Sequence, residues 1–352
     1  MRITGRVFLG VACVVVAFGC GAVKDKTPAA DANNSDAPMD ADVQSDADVD
    51  ADIDAPSSVC SAPCEDSDPC TADVCTEQTG CTHTPMTPTG SMTLAYTGSM
   101  QSFVVPACVT SIVVKAEGAE GGESNGTPGG KGASMTGTFS VAPADTLQVL
   151  VGGRGIAGST TDASQRGGTG GGGTFVVRGN TIFVIAGGGG GAVGGLTFGS
   201  GPGGPGQTGI NGQTGMPMGS AGGVNGGGGT TNPNTAYHGP TGGAGYSGNA
   251  IGDSQGSATY GTPNIHATAF INGGAGGVGG TQGRNGGFGG GGAAGYCGGG
   301  GGGYSGGGAG ANVPTGQTAA INGGGGGSIN NGANQTNVAG ARTGNGLVTI
   351  TW

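Results

Sequence analysis

Unbroken runs of glycine at residues 187–191 and 298–303 punctuate a region, from about residue 118 to 346, that carries most of the 90 glycines among the 352 residues. Glycine brings no side chain to a core and loses the most backbone freedom on folding. A region this rich is therefore either disordered or held by direct backbone-to-backbone packing. A collagen triple helix is excluded, because it needs glycine at every third position with abundant proline, and this chain has neither.

The N-terminus carries an export signature. Arg2 and Arg6 precede an apolar stretch, residues 7–18, that is too short to span a bilayer. It ends in Ala17-Phe18-Gly19-Cys20, which resembles the bacterial lipoprotein signal, although Ala17 and bulky Phe18 depart from that pattern. The resemblance implies a signal peptide over residues 1–19, lipidation of Cys20, an acyl anchor in a lipid bilayer and, through Gly21, sorting to the outer membrane. The alternative is a soluble secreted protein cleaved nearby.

Residues 20–59 form an acidic linker in which Asp46, Asp48, Asp50, Asp52 and Asp54 alternate with small or apolar residues. Like charges at this density repel, and without aromatic residues nothing drives collapse, so the segment is expected to be an extended tether reaching up to ~130 Å at ~3.3 Å per residue. It lacks the glycine and the closing glutamate of an EF-hand loop. Ten of the 21 acidic residues behind the net charge of −10 lie between residues 25 and 54, which leaves the glycine-rich part almost neutral. No basic stripe with interleaved aromatics occurs, which argues against a nucleic-acid partner.

Cys60, Cys64, Cys70, Cys75 and Cys81 fall within 22 residues, a density that in an exported chain indicates a disulfide-clamped module, here residues 60–86. No C-x2-C pair occurs and His83 stands alone in the segment, so zinc ligation is not expected. Asp68-Pro69-Cys70-Thr71, with Cys75, Gly80-Cys81 and His83, resembles the Cys-Thr-Asp-Cys repeats of slime-mould matrix proteins and myxobacterial surface proteins. A single copy implies a spacer or stalk. With Cys108 and Cys297 the candidate disulfide cysteines after Cys20 number seven. One thiol then stays free or bonds another molecule, or Cys81 bonds outside its cluster, and the spacing does not choose between these.

Strand signals cluster around the glycine tracts: residues 101–106, 110–116, 133–141, 146–151 and 347–352 alternate or run apolar. Residues 173–187 read as two β-rich runs joined by a tight turn at Gly179-Asn180. The strand at 347–352 needs a sheet to join, which favours packing over a disordered tail.

The segments QSFVVPACVTSIVVKAEGAEGG, GGKGASMTGTFSVAPADTLQVLVGGRG, GGTGGGGTFVVRGNTIFVIAGGGGG and GNGLVTITW resemble the glycine-rich extracellular domain of the anaplastic lymphoma kinase and leukocyte tyrosine kinase receptors and its bacterial counterparts. The resemblance covers residues 91–352 and implies an all-β, jelly-roll-like β-sandwich with an inserted polyglycine II helix bundle. Bacterial relatives commonly have glycine where this chain has Cys108. Side-by-side polyglycine helices, with three residues per turn and no internal hydrogen bonds, satisfy one another's backbone groups.

The search for chemistry yields no catalytic, cofactor-binding or metal-binding set. The nearest approach to a phosphate loop, residues 125–132 with Lys131, has Asn125 in place of the first glycine and Gly132 in place of the Ser or Thr that would hold magnesium. His83, His238 and His266 have no assignable nucleophile or carboxylate partners in sequence, and no kinase motif accompanies the receptor-like domain. Tyr237, Tyr246, Tyr260, Tyr296 and Tyr304 punctuate the glycine tracts, either capping a polyglycine bundle or projecting as contacts. Tyr237, His238, Tyr296 and Tyr304 are the candidate ligand contacts. The expectation is a non-enzymatic, lipid-anchored protein of the bacterial outer membrane or cell surface that binds a protein or glycan partner, with a ligand-free structural coat component, capable of self-association, as the alternative.

Overall fold

The computed structural model describes residues 59–60, 63–162, 165–195, 200–217, 219–231, 239–252, 262, 264–281, 283–311 and 321–352. The chain divides into two units, Met1–Ser57 and Ser58–Trp352. The signal peptide, Cys20 and nearly all of the acidic linker lie outside the described residues, as do Tyr237, His238 and Tyr260.

The second unit opens with an antiparallel hairpin of β1 (Thr71–Thr76) and β2 (Gly80–Pro85), with Gly80 in the left-handed region at its turn. Disulfides Cys60–Cys75 and Cys64–Cys81 tie the preceding segment to both strands. The hairpin buries little apolar surface, so these crosslinks replace a core. Cys81 thus pairs within its cluster, and Cys70 is the residue that leaves it, bonding Cys108. Cys108 has φ 64, a conformation that glycine adopts most readily.

Ten strands then form two antiparallel five-stranded sheets. In chain order they are β3 (Ser91–Ala95), β4 (Gln101–Val104), β5 (Ser111–Glu117), β6 (Gly132–Ser140), β7 (Thr146–Leu150), β8 (Thr174–Arg178) and β9 (Thr181–Ala186). A short bridge of β10 (Met216–Pro217) with β11 (Ile321–Asn322) lies apart, before β12 (Ile329–Asn330), β13 (Ala333–Arg342) and β14 (Leu347–Thr351). One sheet has the order β13-β6-β5-β14-β3 and the other β12-β9-β8-β7-β4. Leu94, Ile112, Val114, Met135, Val348 and Ile350 of the first sheet pack against Phe103, Leu147, Val149, Val176 and Val184 of the second. The alternation in β5 and β14 is that of strands with one solvated face.

The second sheet is different. Its β8 and β9 are apolar almost throughout because both faces are covered. Val176 and Val184 face the sandwich core, while Leu150, Phe175, Val177 and Ile185 face a second cluster capped by Phe270, Phe288, Tyr246 and Tyr304 from the glycine-rich region. The domain therefore has three layers: an outer sheet, a middle sheet and a bundle of glycine coils.

The bundle repeats every three residues, which is the polyglycine II screw. Gly188 and Gly191 donate to the carbonyls of Gly302 and Gly299, Gly189 and Ala192 to Ala119 and Gly122, and Gly190 and Val193 to Gly204 and Gly201. The carbonyls of this coil answer with the same period: Gly187 and Gly190 accept from Ala133 and Gly130, Gly188 and Gly191 from Gly326 and Gly323, and Gly189 and Ala192 from Gly171 and Gly168. One coil thus donates to three segments and accepts from three others. The coil at 299–304 follows the same rule, donating to 168–171, 241–244 and 324–327. A Cβ on Gly190 would overlap the carbonyl of Gly323. Close approach, rather than unusual φ, is what demands glycine here. The all-β, jelly-roll-like sandwich with an inserted polyglycine II bundle is the fold of this unit.

Candidate functional site

The candidate disulfide cysteines resolve into three pairs and a remainder. Cys297, counted among them from sequence, is bonded to no other cysteine. It is buried beside Val193 and half-buried Tyr296, where desolvation pushes its thiol up to about 12. A thiol so placed is a small apolar packing group.

His83 stood alone in the sequence reading, and the hairpin corrects that. Its Nδ1 lies 2.8 Å from Oδ1 of Asp73 and 3.4 Å from Oδ2 of Asp66. The remaining carboxylate oxygens are occupied: Asp73 Oδ2 accepts from the Asp66 amide, and Asp66 Oδ1 accepts from the Asp68 amide and the Thr71 hydroxyl. The hydrogen bond to Asp73 raises the His83 pKa above its usual range, and the same bond lowers that of Asp73. The three groups offer ligand atoms within 4.8 Å of one another, so they are where a cation would fit in this hairpin. The geometry is that of a ring nitrogen, Nδ1 of His83, held by two carboxylates. Cys64, Cys75 and Cys81 also converge, but their sulfurs are consumed by disulfides.

Of the four candidate contact residues, Tyr237 and His238 lie outside the described residues. Tyr296 packs against Val193 and Cys297, and Tyr304 against the cluster between middle sheet and bundle. Both described tyrosines are half-buried against these clusters.

The sequence reading did not single out a cleft at the margin of the middle sheet, where the glycine bundle stops covering it. Three rings lead there. Phe175 of β8 stacks on Phe270 with centroids 4.8 Å apart, and Phe270 stacks on Tyr246 at 5.5 Å. Tyr246, Phe270 and Ile271 form one side of the cleft, and Met100, Gln148 and Asn180 border it from the sheet. Phe270 begins a 3-10 turn (Phe270–Asn272) that ends at Gly273 with φ 98. Among the described residues no charged side chain lines this cleft. Pairing of the rings depends on contacts between residues up to 95 positions apart (175 to 270), which no local pattern signals.

Several charged groups elsewhere are paired. Arg178 bonds Asp145 and lies over the Phe183 ring, and the Ala142 amide together with Arg178 lowers the Asp145 pKa. Lys115 and Arg342 flank Glu117, and Arg154 bonds Glu120.

Residues 63–86 are similar to the Dictyostelium (slime mold) repeat. The matched segment is the disulfide hairpin with its His83 clamp. No curated protein matches the chain. Among the described residues no helix is long and apolar enough to cross a membrane.

Proposed function

We propose that this chain is a non-enzymatic surface protein, lipid-anchored through Cys20 at the bacterial outer membrane, that holds a stiff glycine-rich body away from the bilayer and uses it to bind a protein or glycan partner. The observation that carries this reading is the bundle, in which amide after amide of the 187–193 and 299–304 coils is bonded to a neighbouring coil. A body so cross-bonded keeps its surface shape without the ordering cost that a flexible binder meets. The slime-mould-type hairpin, crosslinked to the body through Cys70–Cys108, suits a short rigid collar between tether and binding domain. The resemblance of residues 91–352 to the glycine-rich ectodomains of the anaplastic lymphoma kinase and leukocyte tyrosine kinase receptors supports recognition as the role.

Two measurements test it. Protease shaving of intact cells should release the 91–352 body, and replacing Cys20 should move the protein into the medium. Purified mature protein should bind cells or matrix polysaccharide saturably. Uniform, non-saturating coating or self-association alone would replace recognition with a structural envelope role.

A further inference from the structure

The aromatic stack described above ends in a cleft of about 340 Å³, within the lower part of the range typical of small-ligand sites, about 300–1,000 Å³. We propose that this cleft binds a neutral pyranose unit of a glycan. The inference rests on the recognition role and names its site and ligand class.

Four observations converge on that chemistry. First, the described lining carries no charge, so a uronate, sulfated or phosphorylated ligand would lose its hydration with no counter-charge from it in return. Second, the site has apolar surface of the kind a sugar's C–H face packs on: half-buried Tyr246 at the end of the ring column, with Ile271 57% and Met100 42% exposed at the rim. These exposed apolar groups border the same cleft as the ring. Third, Gln148 and Asn180 place exposed amides on the sheet side. A carboxamide both donates and accepts, which matches vicinal hydroxyls that also do both.

The fourth is rigidity. Ile271 donates its amide to the carbonyl of Tyr246 at 3.2 Å, and Oδ1 of Asn249 accepts from the Ala269 amide at 2.8 Å and from the Asn272 side chain at 3.0 Å. On the opposite side Gln148 stands on β7, opposite Val177 of β8, and Asn180 sits in the turn between β8 and β9. Both walls are fixed by sheet and turn hydrogen bonds before any ligand arrives, as a weakly interacting sugar requires.

The test is calorimetric titration of the purified mature protein with neutral gluco-, manno-, galacto- and xylo-oligosaccharides, with oligogalacturonate and heparin fragments as charged controls. At least one neutral series should bind, with affinity little changed by salt. Gln148→Ala should weaken it about 3- to 10-fold, the loss expected for one neutral hydrogen bond. Tyr246→Ala should abolish it. Because Tyr246 also packs beneath the sheet, its variant can unfold, and the Gln148→Ala/Ile271→Ser double variant with an unchanged melting temperature decides instead. Absence of binding across the neutral panel, binding of charged sugars alone, or full affinity in the double variant would overturn the proposal. If saturable cell binding persists in any of those cases, the recognition role stands, with a charged glycan, a glycan held elsewhere on the body, or, where no sugar binds, a protein as its partner. If cells are not bound either, both readings fall.

Discussion

The amide of Gly191 donates to the carbonyl oxygen of Gly299 at 2.8 Å, and three residues earlier Gly188 repeats the bond to Gly302 at the same distance. The two coils run antiparallel and are locked by backbone alone. Their amides should therefore exchange with solvent only on opening of the whole domain. Hydrogen exchange read by mass spectrometry or NMR should show strong protection across residues 299–303. Exchange at free-peptide rates there would remove the basis for a stiff body.

Glycine substitutions should separate by environment. At Gly190 a methyl group would strike the Gly323 carbonyl, whereas at Gly209 nothing lies within 4 Å and φ is not positive. Gly190→Ala should cost about 3 kcal/mol or more, since a close-packed backbone has no side chain to move aside. Gly209→Ala should be neutral or stabilise by up to about 1 kcal/mol through the unfolded chain. Thermal melts of the two variants check this, and equal effects would contradict backbone packing as the source of stability.

The Cys70–Cys108 crosslink spans 38 residues and should contribute about 4 kcal/mol by loop closure. Replacing both by serine should lower stability accordingly. Cys70→Ser combined with Cys108→Gly should recover about 1 kcal/mol of that loss, because position 108 is left-handed. Chemical denaturation of the three proteins measures both steps. Peptide mapping should also find Cys297 alkylated only after denaturation.

The His83 clamp makes the hairpin pH-sensitive in a definite direction. His83 titrates above its ordinary 6.5 in the folded state, so its contribution is complete below that pH and is lost as pH rises through the elevated value. Asp73 titrates below its ordinary 3.8, so its contribution is present above that pH and is lost as pH falls through the lowered value. The clamp should be strongest from about pH 4 to 6.5. An NMR titration should place the His83 pKa above 6.5, and Asp73→Asn should return it toward that value. An unshifted His83 would show the contact does not form in solution.

The strands that were legible in sequence are those whose residues report burial. Residues 347–352 alternate because one face is packed, residues 146–151 alternate and then run apolar where Leu150 meets the bundle, and the Gly179-Asn180 turn separates β8 from β9 at the expected place. β13 was not legible. Its sequence ANQTNVAGAR is exposed nearly throughout at the sheet edge, so no apolar period marks it, and its two register breaks interrupt any alternation. Bulges of this kind also spoil the edge as a template for another strand. Cysteine spacing located the module but not the Cys70–Cys108 pair, which depends on how the hairpin lies against the sandwich. The cleft was invisible for a related reason: Gln148, Asn180, Tyr246 and Phe270 meet only after sheet and bundle have docked.

β14 lies between β5 and β3, with Val348 opposite both Ala116 and Leu94. The slot it fills is made from strands synthesised more than two hundred residues earlier, since 348 minus 116 is 232. Until that strand arrives, the outer sheet has a missing rung and the core valines and leucines have no lid. Completion of the domain thus waits on β14, and a chain still threading through a narrow channel stays pliable until that strand has passed.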